Sequence, residues 1–169
     1  MCDILSVSGQ QRAAYSRSWF LSEPLPKLFP DEVANMLKQV SVYAENSKGT
    51  FQNITSLLMQ EGINILGSVT SNSSEFGVIR MIVSDTQKAL DILQANDYLC
   101  RSTHIIGVEM ADKVGSLNTL LLELLHGNIN VDYTYLCFNR ETGMPVIILH
   151  TEDIFEVENH LKTKGFAVQ

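Results

Sequence analysis

Two short stretches of this 169-residue chain set polar side chains around a glycine: Glu45-Asn46-Ser47-Lys48-Gly49-Thr50 and Ala111-Asp112-Lys113-Val114-Gly115-Ser116. Each precedes an apolar stripe of helical spacing, so each glycine falls at a helix start. A helix start leaves backbone N–H groups unpaired and carries partial positive charge, which suits a carboxylate. A glycine there lets a ligand approach the backbone. Asn46 and Asp112 are placed to meet an ammonium group, and Lys48 or Lys113 its carboxylate. Asn64 and Asn130 recur at the same spacing, at the start of a following strand, and add a neutral donor and acceptor. A purely structural reading competes: glycine for turn geometry, and Asn or Asp as helix cap.

Other chemistry finds little support. There is no Gly-x-Ser-x-Gly elbow, no phosphate-cradling Gly-x-x-x-x-Gly-Lys and no Gly-x-Gly-x-x-Gly. His104, His126, His150 and His160 do not pair with Cys or carboxylates at ligand spacing, so no metal site, cofactor or catalytic residue is expected. Cys100 and Cys137 alternate within strands as packing residues. The net charge is −7, and residues 104–169 supply most of it. No basic face forms, which argues against nucleic acid and anionic membranes. No apolar run reaches the ~20 residues of a membrane span. Three cysteines make no disulfide framework and no secretory signal is evident, so a cytoplasmic protein is expected.

The elements that must position the two stretches follow from periodicity. Residues 1–37 hold three of the four prolines and sustain no period, so they read as a poorly ordered extension, with Met36 as an alternative start. After them comes alternation at Val40, Val42 and Ala44. A helical stripe follows at Phe51, Ile54, Leu57 and Leu58, ended by Gly62. Ile63–Thr70 and Phe76–Val83 read as strands, with a helix through Ala89, Leu90 and Leu93 capped by Asp85 or Thr86. Tyr98–Thr103 reads as a fourth strand. The same order then recurs. Gly49 and Gly115, Val42 and Val108, Ile63 and Ile129, Asn64 and Asn130, and Gly77 and Gly143 share one offset. A two-residue insertion near Asp153 accounts for the longer offset of the last helix. The fold class is therefore α+β: two ferredoxin-like βαββαβ units in tandem, residues 38–103 and 104–169, with antiparallel sheets and helices on one face. The strands are apolar on both sides, as where Ile147 and Leu149 alternate with Val146 and Ile148, while helices cover only one. The other face should meet a partner, first the other copy and then a second chain, and a homodimer is expected.

The pattern from Val42 through Asn46, Gly49, Ile54, Leu57 and Gly62 to Ile63-Asn64-Ile65 resembles an ACT domain. Gly107-Val108-Glu109 through Gly115-Ser116-Leu117 to Asn128-Ile129-Asn130-Val131 resembles a second. Lys48 and Val114 stand where that family commonly has proline. The resemblance implies a small regulatory domain that binds amino acids or similar metabolites between domains. It uses the loop before the first helix and the start of the second strand. Carried over, the ligand-binding positions are Asn46, Ser47, Gly49, Thr50, Asn64 and Ile65, then Asp112, Val114, Gly115, Ser116, Asn130 and Val131. The expected function is a free-standing, non-catalytic amino-acid sensor. Its rivals are a regulatory subunit of a separate biosynthetic enzyme, such as acetohydroxy acid synthase, and an enzyme of another kind on the same fold.

Overall fold

The computed structural model describes residues 36–72 and 76–169, and the expectations for residues 1–35 lie outside it. Two βαββαβ units follow one another. The first is β1 (Lys38–Glu45), α1 (Thr50–Gln60), β2 (Ile65–Asn72), β3 (Phe76–Val83), α2 (Thr86–Ala95) and β4 (Leu99–His104). The second is β5 (Ile106–Glu109), α3 (Ser116–His126), β6 (Tyr133–Phe138), β7 (Pro145–His150), α4 (Ile154–Thr163) and β8 (Ala167–Val168). The sheets have the same order, β2-β3-β1-β4 and β6-β7-β5-β8, and every pairing is antiparallel. Ile105 alone separates β4 from β5.

All four helices stop in the same way. At the end of α1, Gly62 takes a left-handed conformation, φ 70°. Its N–H bonds Met59 O at 3.0 Å, and Ile63 N–H reaches back to Leu58 O at 2.9 Å. This is the Schellman arrangement, closed by an apolar residue just beyond the turn. Asp97, Asn128 and Gly165 repeat the left-handed turn, with Tyr98, Ile129 and Phe166 as the closing residues. Ile63 and Tyr98 are therefore helix closures rather than strand starts, and β2 and β4 begin later than the alternation predicts. Asp85 is the cap of α2, accepting from Lys88 N–H at 2.9 Å.

Strand register places the two-residue insertion. Thr70 pairs with Ile79 and Leu136 with Ile147, so β2 matches β6 at an offset of 66, while β3 matches β7 at 68. The extra residues lie in the β6–β7 turn, not near Asp153. Gly77 sits in β3 opposite Ala44, whereas Gly143 is a left-handed turn residue, φ 71°. Their shared offset is not structural equivalence.

Each unit has a core between its sheet and its helices. Val40, Val42, Ile54, Leu58, Met81 and Leu93 lead the first, and Val108, Leu120, Leu124, Leu149 and Leu161 the second. A third core joins the two sheets: Ile82, Ile105, Tyr135, Val146 and Ile148, with Leu66, Val69 and Cys137 against them. The helix-free faces therefore cover each other within one chain. That removes the exposed apolar sheet face from which a second chain was expected. Gln39 bolts this interface and is fully buried. Its amide donates to Tyr133 Oη at 2.6 Å and Ser41 Oγ at 3.2 Å, and its carbonyl accepts from Tyr135 Oη at 2.8 Å. Burial pushes the Tyr135 hydroxyl well above its ordinary pKa, so it stays protonated and able to donate.

At Gly67 the approach is tightest: a Cβ there would lie 2.8 Å from Cys137 Cβ. Gly67→Ala should force the sheets apart and destabilise the chain by about 1–3 kcal/mol, the usual cost of overpacking. Urea denaturation checks this, and an unchanged midpoint would show that the interface gives way freely.

Candidate functional site

The two repeated turns close with the same backbone hydrogen bonds. Thr50 N–H bonds Ser47 O at 3.3 Å, and Ser116 N–H bonds Lys113 O at 3.2 Å. The next turn of each helix closes on the glycine carbonyl, Asn53 N–H to Gly49 O and Thr119 N–H to Gly115 O, both at 2.9 Å. Gly49 and Gly115 are the N-cap residues, with φ 87° and 92°, and neither helix has a side-chain cap. Asn46 and Asp112 are thus not caps of these helices. The contrast is internal, because α2 and α4 are capped by Asp85 and Asp153. A Cβ on Gly49 or Gly115 would meet nothing within 4 Å. Within the chain, then, backbone conformation and not crowding demands glycine here.

In the first unit the turn opens onto a hollow of about 230 Å³ lined by Glu45, Asn46, Ser47, Thr50, Phe51 and Thr70. Ser47 Oγ and Thr50 Oγ1 lie 2.7 Å apart across its edge. Three of the expected positions, Asn46, Ser47 and Thr50, therefore share this hollow, with Gly49 between them in sequence. Asn64 and Ile65 lie beyond the far end of α1, an 11-residue helix, roughly 16 Å from the turn at 1.5 Å per residue. Asn64 is exposed and its backbone is pinned by Ser84, whose Oγ accepts from Asn64 N–H at 3.0 Å. Ile65 packs at the edge of the first core. The second unit repeats this separation: Asp112, Val114, Gly115 and Ser116 gather at the start of α3, Asn130 is exposed beyond its end, and Val131 packs on the second core. One unit alone cannot bring its turn and its asparagine together.

A larger cleft, about 590 Å³, lies where β4 ends beside β6 and β7, and the sequence reading did not single it out. Arg101, His104, Asp132, His150, Thr151 and Glu152 line it. His150 Nδ1 and Asp132 Oδ2 are 2.8 Å apart, and the His150 ring stacks on Tyr133 at 4.9 Å between centroids. Arg80 covers Tyr133 at 4.1 Å. The lining residues come from β4 and from the start of β6 and the end of β7, in different units, so no local spacing reveals them. Among the described residues no group of three or more His, Cys, Asp or Glu could hold a metal. No described helix is long and apolar enough to cross a membrane.

A family model for the ACT domain pair matches residues 35–164. The chain belongs to the ACT domain pair family. It is similar to protein BT0572 from Bacteroides thetaiotaomicron, with 25% identity and a TM-score of 0.73 over 79% of this chain and 92% of that one. The ligand-free regulatory subunit of aspartate kinase from Thermus thermophilus has 12% identity and a TM-score of 0.54 over 78% and 95%. Its counterpart from Thermus flavus has 11% identity and a TM-score of 0.54 over 75% and 89%. The last two likenesses show the fold alone. The search of curated proteins found no match.

His104 offers a test of the cleft's electrostatics. Burial, then the charge of Lys38 opposite it in the β1–β4 ladder, lowers its pKa below the ordinary histidine value. Above about pH 6.5 it is neutral in both folded and unfolded chains. As pH falls through that value the unfolded chain takes up a proton that folded His104 resists, so stability drops. Melting temperature should therefore fall less between pH 7.5 and 5.5 in His104→Gln than in the parent. Equal slopes would show that His104 titrates as in the unfolded chain.

Proposed function

We propose that this protein is a non-catalytic sensor that binds a free amino acid through its ACT pair and passes the signal to another protein. Membership of the family carries the reading, and the two Gly-capped helix starts support it. They are left without side-chain caps while the other two helices have them. Such a start leaves N–H groups for a ligand carboxylate, and the hollow beside Ser47 and Thr50 is where one would lie. The positions assigned remain Asn46, Ser47, Gly49, Thr50, Asn64 and Ile65 with Asp112, Val114, Gly115, Ser116, Asn130 and Val131. Because turn and asparagine lie at opposite ends of a helix, a complete site needs residues from two units. A cytoplasmic setting and a metabolic enzyme as the regulated partner fit this reading.

We also infer a homodimer, now on a different surface. Val114, Leu117, Leu121, Leu122 and Leu125 are exposed on and just before α3, Leu125 at 69%. Residues 117, 121 and 125 fall on one helical stripe. Glu123, the one carboxylate of α3, is engaged by Lys164 at 3.4 Å. A chain of net charge −7 repels its own copies, so an apolar face without a free carboxylate is the surface on which a second copy fits best. Sedimentation should give twice the 18.9 kDa chain mass, and Leu121→Glu with Leu125→Glu should return the monomer. A parent that sediments as a monomer at micromolar concentration excludes the dimer.

The ligand reading is tested by a thermal-shift screen of the twenty amino acids. A ligand at 100 times its Kd stabilises by about 2.7 kcal/mol. Gly115→Val should abolish binding at the second turn while circular dichroism stays that of a folded chain, because φ 92° is strained for a β-branched residue. Asn130 is exposed, so Asn130→Ala should weaken binding only by what the ligand itself gains there. If no amino acid shifts the melt, the sensor reading fails.

A further inference from the structure

The turn between β6 and β7 holds the two residues by which the second unit exceeds the first, and side chains brace it as well as backbone. Asn139 Oδ1 accepts from Glu141 N–H at 2.9 Å and from Thr142 N–H at 3.3 Å, and Gly143 N–H bonds Asn139 O at 2.8 Å. The foot of the turn is Glu109, the last residue of β5. Its carboxylate accepts from Asn139 Nδ2 at 2.7 Å, from Thr142 Oγ1 at 3.4 Å and from Gln169 Nε2 at 3.2 Å. Hydrogen bonds to a charged acceptor are stronger than those between neutral groups. At the repeat offset that relates Val42 to Val108, the first unit has Tyr43 in place of Glu109. Both the extra residues and their foot therefore belong to the second unit.

From this braced turn Arg140 reaches the first unit, where its Nη2 donates to Ile65 O at 3.0 Å. Ile65 opens β2, and the register of β2 on β3 shifts between Ile65 and Gly67. Leu66 is therefore the extra residue of a bulge, which interrupts the ladder locally, and it packs on the core between the sheets. Arg140 thus grips β2 where its pairing with β3 is broken. On the other side, Met110 follows Glu109, bonds Pro145 O through its N–H at 3.0 Å and leads into the second glycine turn, where Lys113 N–H bonds Ala111 O at 3.0 Å. An unbroken run of covalent and hydrogen bonds joins the start of β2 to that turn: Ile65, Arg140, Asn139, Glu109, Met110 and Ala111.

We infer that the β6–β7 turn is a coupling arm: through Arg140 on one side and Glu109 on the other, a displacement at the start of β2 in the first unit is felt at the glycine turn of the second. The reverse also holds, because a coupling free energy between two places is reciprocal. The physical warrant for such a link is measured coupling, not the path alone. Ile65 and Gly115 are ligand positions only on the reading above, and the inference rests on that reading for its use in signalling. The mechanical link is read from the bonds. With it, the two units are not independent binding modules, and occupancy of one biases the other.

The test needs no ligand and uses the full ¹⁵N-labelled chain. The Leu66 amide belongs to the same peptide group as the Ile65 carbonyl and so reports the Arg140 bond. The amides of Ala111 to Gly115 report the second turn. Glu109→Gln should shift the Leu66 amide, and Arg140→Gln should shift the amides of the second turn. In the double variant the two changes should not add, because either one breaks the arm. Arg140 is exposed, so its variant is expected to fold. Glu141→Gln changes the charge of the same turn without removing a contact of the arm, and should leave both ends in place. If Arg140→Gln moves Leu66 and its neighbours alone, the arginine fixes only what it touches and the inference is overturned. It is overturned as well if Glu141→Gln moves both ends, since charge alone then accounts for the shifts. Failure of the amino-acid screen removes the sensor reading and leaves these shifts as they are, so the two readings fail separately.

Discussion

Each βαββαβ unit can cover only one face of its sheet with its own helices, and the other face is too apolar to leave in water. The tandem arrangement meets that constraint inside one chain, by laying the two bare faces against each other around Ile82, Ile105, Tyr135, Val146 and Ile148. Close approach depends on Gly67, which admits Cys137 where any Cβ would collide. Alignment depends on Gln39, whose donor and acceptor groups are both satisfied although the side chain is fully buried. A satisfied polar group in an apolar interface gives specificity at small net cost, because any sheet offset that breaks it strands a buried amide.

The same constraint governs where function can sit. With the bare faces paired, the outer surface is made of helices and turns, and the free ends of the sheets open where the units meet. The glycine turns lie at the starts of α1 and α3, and the junction cleft lies where β4 runs out beside β6 and β7. Both kinds of place lie at element ends, outside the three apolar cores.

Much of the architecture is legible in the sequence because local physics writes it there. Alternation at Val40, Val42 and Ala44, and the stripe through Ile54 and Leu58, need no distant partner to be read. The repeat made the second unit readable from the first. The sequence is ambiguous where a local signal serves two purposes. Ile63 and Tyr98 look like the first residues of strands but close the preceding helices, since apolar closure and strand alternation draw on the same residue types. Gly77 and Gly143 share an offset by coincidence of the turn insertion, and only register separates a strand glycine from a turn glycine. Gly49 and Gly115 stand at helix starts as their spacing predicts, and with no Cβ clash there the reason is conformation alone.

What the sequence could not convey is which residues a face-to-face packing brings together. Gln39 and Tyr135 are 96 residues apart, and nothing in either neighbourhood hints that the one satisfies the other. Arg101, Asp132 and His150 are closer in sequence, but they lie in or beside different elements and each alone reads as a solvated side chain near an element end. Their meaning comes from the junction, where Ile105 alone links the sheets and so holds the end of β4 beside the second unit. The face-to-face packing that buries the two apolar faces therefore also brings polar residues together that no motif would join.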